Sequence, residues 1–195
     1  MNAPHRPLTI VITGSECTGK TTLAAALADR FGAPWSREFA REYVDIEQRT
    51  LDASDVEPIA RGQLAGEETA DREAAGSGRG IVVRDTDLHS TVVYARHYYG
   101  DCPDWVVASA RARTGDLYLL LCPDVPWVAD GLQRDQPAEG VRALIHAQFR
   151  NTLTAAGAKV VEITGTWPER EARAAAAVMA AVDAATARLD SPFAL

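Results

Sequence analysis

Cysteine is scarce in this chain, lysine scarcer, and long apolar runs are missing. Three of the 195 residues are cysteine (Cys17, Cys102 and Cys122), and they form neither a CxxC pair nor a metal-ligand spacing. A sparse, odd count excludes a disulfide scaffold and fits a reducing compartment. No apolar stretch approaches the ~20 residues that span a bilayer, and Met1–Pro7 with Leu8–Thr13 is too short and polar for a signal segment. The expectation is a cytoplasmic protein without a membrane partner. Positive charge is also in deficit, 20 Lys+Arg against 27 Asp+Glu, for a formal charge of −7. That balance speaks against a nucleic-acid partner gripped through phosphate neutralisation. Only Lys20 and Lys159 are lysine, the other basic residues being arginine. A lysine kept at position 20 against that background marks a place that needs a compact ammonium.

The remaining composition, 47% apolar and 24% charged, is that of a globular protein, and the length suits one domain over residues 1–195. Leu8–Thr13 is a continuous β-branched run, as in a strand buried on both faces. A Gly-rich turn and a helix from Lys20 to Phe31 follow, stopped by Gly32. Further strands are expected at Trp35–Phe39, Ile81–Arg84, Leu117–Leu121 and Lys159–Ile163. Helices are expected at about Asp55–Ala75, Thr91–Tyr99, Pro103–Arg113, from Arg142 to about Ala156, and from Pro168 to Leu189. The alternation predicts an α/β three-layer fold, a five-stranded parallel sheet with helices on both faces. A polar, Arg-bearing stretch at about 126–142 reads as a lid.

Gly14-Ser-Glu-Cys-Thr-Gly-Lys-Thr-Thr22 matches G-x-x-x-x-G-K-[ST], and it lies between the first strand and first helix, as that motif requires. Polyphosphate has to be held without bulky side chains in the way. Glycines let backbone N–H groups curl around it, and the helix N-terminus adds its positive end. Gly14, Ser15, Glu16, Cys17, Thr18, Gly19, Lys20, Thr21 and Thr22 are therefore the expected ATP-binding residues. Lys20 is expected on the β/γ-phosphates and Thr21 on Mg²⁺. No N-K-x-D or T-K-x-D box and no L-S-G-G-Q signature is present, which favours a kinase-type phosphotransferase over a GTPase or transporter.

Phosphoryl transfer depends on positioning and charge compensation. Asp85, ending the third strand, is the expected metal carboxylate, and Asp87 is expected to contact metal or an acceptor hydroxyl. The alternative for either is capping of the next helix. Glu38 is the expected base, with Arg41 on acceptor or phosphate; a solvated helix face is the alternative, favoured for Glu42. Arg134 in the lid is the expected cation over the transferring group. Gly165, in Thr164–Trp167 after the fifth strand, falls where this topology places adenine. Tyr94, Tyr98, Tyr99 and Trp105 read as core, and His89, His97 and His146 as helix or surface residues rather than metal ligands.

In order along the chain, Gly14–Thr22, Glu38–Tyr43, Gly62-Gln63, Asp85–Leu88, Asp116–Leu121, Pro126-Trp127, Asp130–Leu132 and Ile163–Gly165 resemble the ribosylnicotinamide kinase domains of the NadR family. The resemblance implies a P-loop kinase fold and ATP- and Mg²⁺-dependent phosphorylation of the 5′-hydroxyl of nicotinamide riboside, giving nicotinamide mononucleotide. It adds Gln63 to the substrate-binding residues. The sequence departs from the family pattern in having Gln133 after Asp130-Gly131-Leu132, with Arg134 one place later, and no aromatic at Leu64 or Ala65. It also lacks the H-x-G-H signature of adenylyl transfer, so the expectation is phosphorylation without NAD synthesis. A kinase of another nucleoside or small metabolite, and a nucleotide-sensing P-loop NTPase, are the other readings. Whether the chain forms a homo-oligomer stays open at this stage.

Overall fold

The computed structural model describes residues 6–77, 80–126 and 139–189. One parallel sheet organises them, built from β1 (Leu8–Gly14), β2 (Trp35–Ser36), β3 (Ile81–Asp85), β4 (Leu117–Leu121) and β5 (Val160–Ile163) in the order β2-β3-β1-β4-β5. The helices are α1 (Lys20–Phe31), α2 (Phe39–Glu47), α3 (Val56–Gly76), α4 (Leu88–Tyr99), α5 (Asp104–Ala112), α6 (Glu139–Ala155) and α7 (Trp167–Leu189). Strand side chains alternate between two cores. Ile10, Ile12, Leu117, Leu119 and Leu121 pack against Leu23 and Leu27 of α1 and Ala174 and Val178 of α7. On the opposite face Leu120 meets Val93 of α4 and Ile145 and Phe149 of α6, while Val82 meets Ala70 and Ala74 of α3. Covering both faces is why the strands carry continuous apolar runs. Among the described residues no helix is long and apolar enough to cross a membrane.

Two expected elements differ. β2 is two residues long, and Phe39, expected in a strand, opens α2 instead, with Glu38 as its extended N-cap. As an edge strand β2 has one partner, β3, which supplies only two paired positions, so the helix formers after Glu38 take over. α6 begins at Glu139, which places Arg142 in the helix rather than in the lid. The rest of the expected lid, with Trp127, Asp130, Gly131 and Arg134, lies outside the described residues. α3 is the expected helix and runs unbroken through Gly62 and Gly66. At Gly62 a Cβ would run into the Phe39 ring, so this glycine lets α2 approach α3 closely. The contact is fixed by Gln63, whose side-chain oxygen accepts the Phe39 N–H at 3.0 Å.

β1 is central and hydrogen-bonded on both sides, and its last residue Gly14 sits opposite Leu121. Gly14 has φ 140°, and an added Cβ would stand 2.7 Å from the Leu121 carbonyl oxygen. Gly14→Ala is expected to cost at least about 2 kcal/mol, from overpacking against fixed backbone plus the strained φ. Denaturant unfolding without nucleotide measures this as a lower midpoint at unchanged slope.

Candidate active site

Immediately after Gly14 the chain turns through Ser15–Gly19 into α1. Cys17 (φ 56°) and Gly19 (φ 87°) both adopt left-handed backbone, which curls the loop. The Thr18 hydroxyl donates to the Ser15 carbonyl at 2.8 Å and Lys20 Nζ to the same oxygen at 3.1 Å. The first turn of α1 holds no acidic residue, so nothing offsets the positive end of its dipole. Lys20 is buried, Thr21 half-buried and Thr22 exposed.

A buried arginine braces this loop from behind. Arg170 of α7 is fully buried and donates to the carbonyls of Gly165 (2.8 Å), Thr18 (3.1 Å) and Cys122 (2.9 Å), and its guanidinium also pairs with Asp124. Gly165 takes a left-handed φ of 101° and gives its N–H to Asp124 at 2.8 Å. The Trp167 ring lies 3.1 Å from where a Gly19 Cβ would stand, so the loop and the start of α7 are packed together. The residues around Gly165 thus flank the phosphate loop.

Asp85 ends β3 beside β1, buried, and neither carboxylate oxygen has a well-formed hydrogen bond among the described residues. Burial and the Glu38 carboxylate push its pKa up to about 6, while the nearby Thr21 hydroxyl, Lys20 and Arg41 pull it down. Those influences place four expected residues around one carboxylate. A buried hard-oxygen donor beside a threonine hydroxyl fits a divalent cation of the magnesium class. Thr86, the next residue, holds a left-handed φ of 67° while its N–H pairs with Ile12 O at 2.9 Å, so the strand ends in a strained turn.

Asp87 takes up the alternative of helix capping. Its Oδ1 accepts the His89 N–H at 3.0 Å as the N-cap of α4, and its Oδ2 accepts the Tyr118 hydroxyl at 2.5 Å. Each oxygen thus has one partner within the core. Behind it lies buried Glu67, with Arg84 at 3.0 Å and Arg113 at 3.5 Å. Burial pushes the Glu67 carboxyl up to about 7 despite those two arginines.

In front of the loop opens a cavity of about 300 Å³. Glu16, Cys17, Lys20, Glu38, Arg41 and Gln63 line it, bringing together six of the residues expected at the site. Val56, Ile59, Tyr94, Tyr98 and Tyr99 also line it. Tyr94 packs against the core as expected, beside Phe149, while Tyr98 and Tyr99 correct that expectation. Tyr98 and Tyr99 are 43% and 37% exposed, and the Tyr94 and Tyr98 rings stack at 6.1 Å and 11°. Their i, i+4 spacing on α4 was the available signal. Trp105 does pack in the core, with the Arg61 guanidinium 4.7 Å from its ring centroid. Glu42 is exposed, on the solvated face.

Sequence reasoning missed Arg49 and Asp55, which line the cavity, and the support Tyr43 gives to Asp55. Asp55 accepts two bonds from Arg49 (2.6 and 2.7 Å), one from the Tyr43 hydroxyl (3.0 Å) and one from the Asp52 N–H (2.8 Å). The Arg49 bonds above all hold the Asp55 carboxyl far below the usual carboxylate range. A depressed folded-state pKa contributes stability above the unfolded value and loses it as pH falls through the folded one. Asp55→Asn is therefore expected to cost about 1–3 kcal/mol at pH 7, with the gap to the parent closing as pH drops below about 4. Denaturant midpoints across that range measure it.

Comparison with known proteins bears on this arrangement. A family model described as an AAA domain matches residues 9–170. The trifunctional NAD biosynthesis/regulator protein NadR of Salmonella typhimurium is 33% identical over 129 residues, 64% of this chain but 30% of that protein. The chain thus spans about a third of the length of that curated relative. Among solved structures, NadR in complex with NR superposes with a TM-score of 0.72 at 28% identity, covering 91% of this chain and 52% of the other. NadR in complex with NAD and AMP-PNP gives 0.71 at 26%, covering 91% and 50%. The chain belongs to the AAA-domain family and is a NadR-like P-loop domain.

Proposed function

We propose that this chain, as one kinase domain, transfers the γ-phosphoryl of ATP to the 5′-hydroxyl of nicotinamide riboside. The observation that carries the reading is one cavity lined by Glu16, Cys17 and Lys20 of the phosphate loop and first helix, by Glu38, and by Tyr94, Tyr98 and Tyr99. A nucleoside offers matching groups, a primary alcohol and a flat ring. The nicotinamide ring of the riboside is cationic, and faces of tyrosine attract a cation as well as stacking with it. The solved NadR complexes with NR and with AMP-PNP support both ligands.

In this reading the backbone N–H groups of Ser15–Gly19 and the α1 N-terminus hold the phosphates, with Thr22 on their α side. Lys20 leaves the Ser15 carbonyl for the β/γ-phosphates, a short swing for a flexible ammonium. Gly165 and its neighbours border the adenine. Thr21 and Asp85 would hold Mg²⁺, which supplies charge neutralisation as the phosphoryl group leaves. Glu38 takes the proton of the attacking hydroxyl, Arg41 orients acceptor or phosphate, and Gln63 keeps the start of α2 in place. Arg134 is proposed as the covering cation from the lid at about 126–142.

Release of ADP, measured with a panel of nucleosides, tests the reading. Nicotinamide riboside is expected to stimulate turnover most. Lys20→Ala is expected to lower kcat by at least about 100-fold, as removal of a charge-stabilising donor does. Tyr98→Ala is expected to raise KM for the riboside more than it lowers kcat. Turnover of another nucleoside but not this one would reassign the acceptor, and hydrolysis indifferent to every acceptor would point to a nucleotide sensor.

A further inference from the structure

Outside the cleft, on the sheet face covered by α6, three potential metal-binding side chains converge. Cys122 is the first residue past β4, Glu162 lies on the neighbouring β5, and His146 is on α6. Leu121 pairs with Ile163, and the Cys122 N–H donates to Ile163 O at 2.9 Å, so sheet register sets the cysteine beside the glutamate. Phe149 and Ile145, packed on Leu120, hold α6 down so that His146 reaches both.

We infer that Cys122, His146 and Glu162 form a binding site for a divalent cation of the zinc class, separate from the phosphate loop. Cys122 Sγ lies 3.9 Å from His146 Nε2 and 3.7 Å from Glu162 Oε2, and the latter two atoms are 3.8 Å apart. A tetrahedral zinc with bonds of about 2.0–2.3 Å separates its ligand atoms by about 3.3–3.6 Å, so a few tenths of an ångström of contraction closes the site. Thiolate, imidazole and carboxylate together suit zinc and its borderline neighbours, whereas magnesium prefers oxygen throughout. Cys122 and His146 are buried and Glu162 is partly exposed, which leaves a fourth position toward solvent.

Arg150 is the cation already present. Its Nε donates to Glu162 Oε1 at 2.7 Å, turning Oε2 toward the sulfur and the imidazole, and its Nη2 lies 3.4 Å from His146 Nε2. The side chain is half-exposed, so the guanidinium can tilt as a unit about its bond to Oε1, moving Nη2 toward water while that bond orients the ligand. On binding, the metal–sulfur bond forms as the Cys122 S–H bond breaks, and the proton leaves to solvent.

Titrating the full chain, stripped with chelator, with cobalt(II) in excess magnesium tests the site. Magnesium saturates oxygen sites such as that at Asp85, and only a sulfur-ligated cobalt shows thiolate-to-metal charge transfer. One equivalent is expected, with that band and tetrahedral d–d absorption, both displaced by zinc. Cys122→Ser should abolish the band, whereas Cys17→Ser and Cys102→Ser keep it. His146→Gln and Glu162→Gln should each weaken cobalt binding by at least about 10-fold, and they report on the site even if the serine variant fails to fold. No cobalt uptake, uptake without the sulfur band, or a band that survives Cys122→Ser or is unaffected by both glutamine variants would overturn the proposal.

Discussion

Everything in this molecule is anchored by the double pairing of β1. Strands on both sides leave it no edge, and helices on both faces leave it no solvent, so its position and direction are fixed by hydrogen bonds the chain cannot forgo. The phosphate loop leaves the carboxyl end of that strand, where crossovers to either side open a crevice. The loop therefore inherits a rigid origin, and its left-handed residues need only bend it toward the N-terminus of α1. Gly14 shows how tight the constraint is, because its α-carbon faces the Leu121 backbone with no room for a side chain.

Buried charge is arranged around that origin in two opposite ways. Arg170 is fully satisfied by three carbonyls and Asp124, tying loop, β4 and the start of α7 into one piece. Asp85 is left unsatisfied beside Thr21, and the cost of burying it appears as its raised pKa. A fold retains an unpaired buried carboxylate where chemistry needs one, and the contrast within a few residues separates scaffold from site. Asp87 shows the other outcome, since an acid two residues later in the same strand-to-helix turn is spent on capping α4 and on Tyr118.

Legibility in the sequence followed the range of the interactions. β4 and α1 came out at their observed bounds because an unbroken apolar run and a helix between a glycine-rich loop and Gly32 are local patterns. The phosphate loop was legible for the same reason, being nine adjacent residues whose function depends on their own backbone. β2 was overextended because strand length depends on how much partner β3 offers, which is not written in Trp35–Phe39. Tyr98 and Tyr99 of α4 were misread because exposure is decided by which helices stand opposite, and there α2 and α3 leave a cavity. Arg49 and Asp55 looked like ordinary surface charge, and Cys122, His146 and Glu162 follow no ligand spacing at all.

By itself, then, the sequence determined the succession of strands and helices, the anion-binding loop and the class of ligand it takes, because each rests on contacts between near neighbours. Tertiary structure alone decided which carboxylate stays unpaired, which aromatic rings face the cleft, and which thiol, imidazole and carboxylate meet across β4, β5 and α6. Those outcomes depend on sheet register and helix packing, which bring together residues 24 and 16 positions apart, as in Cys122, His146 and Glu162. No local pattern encodes that distance.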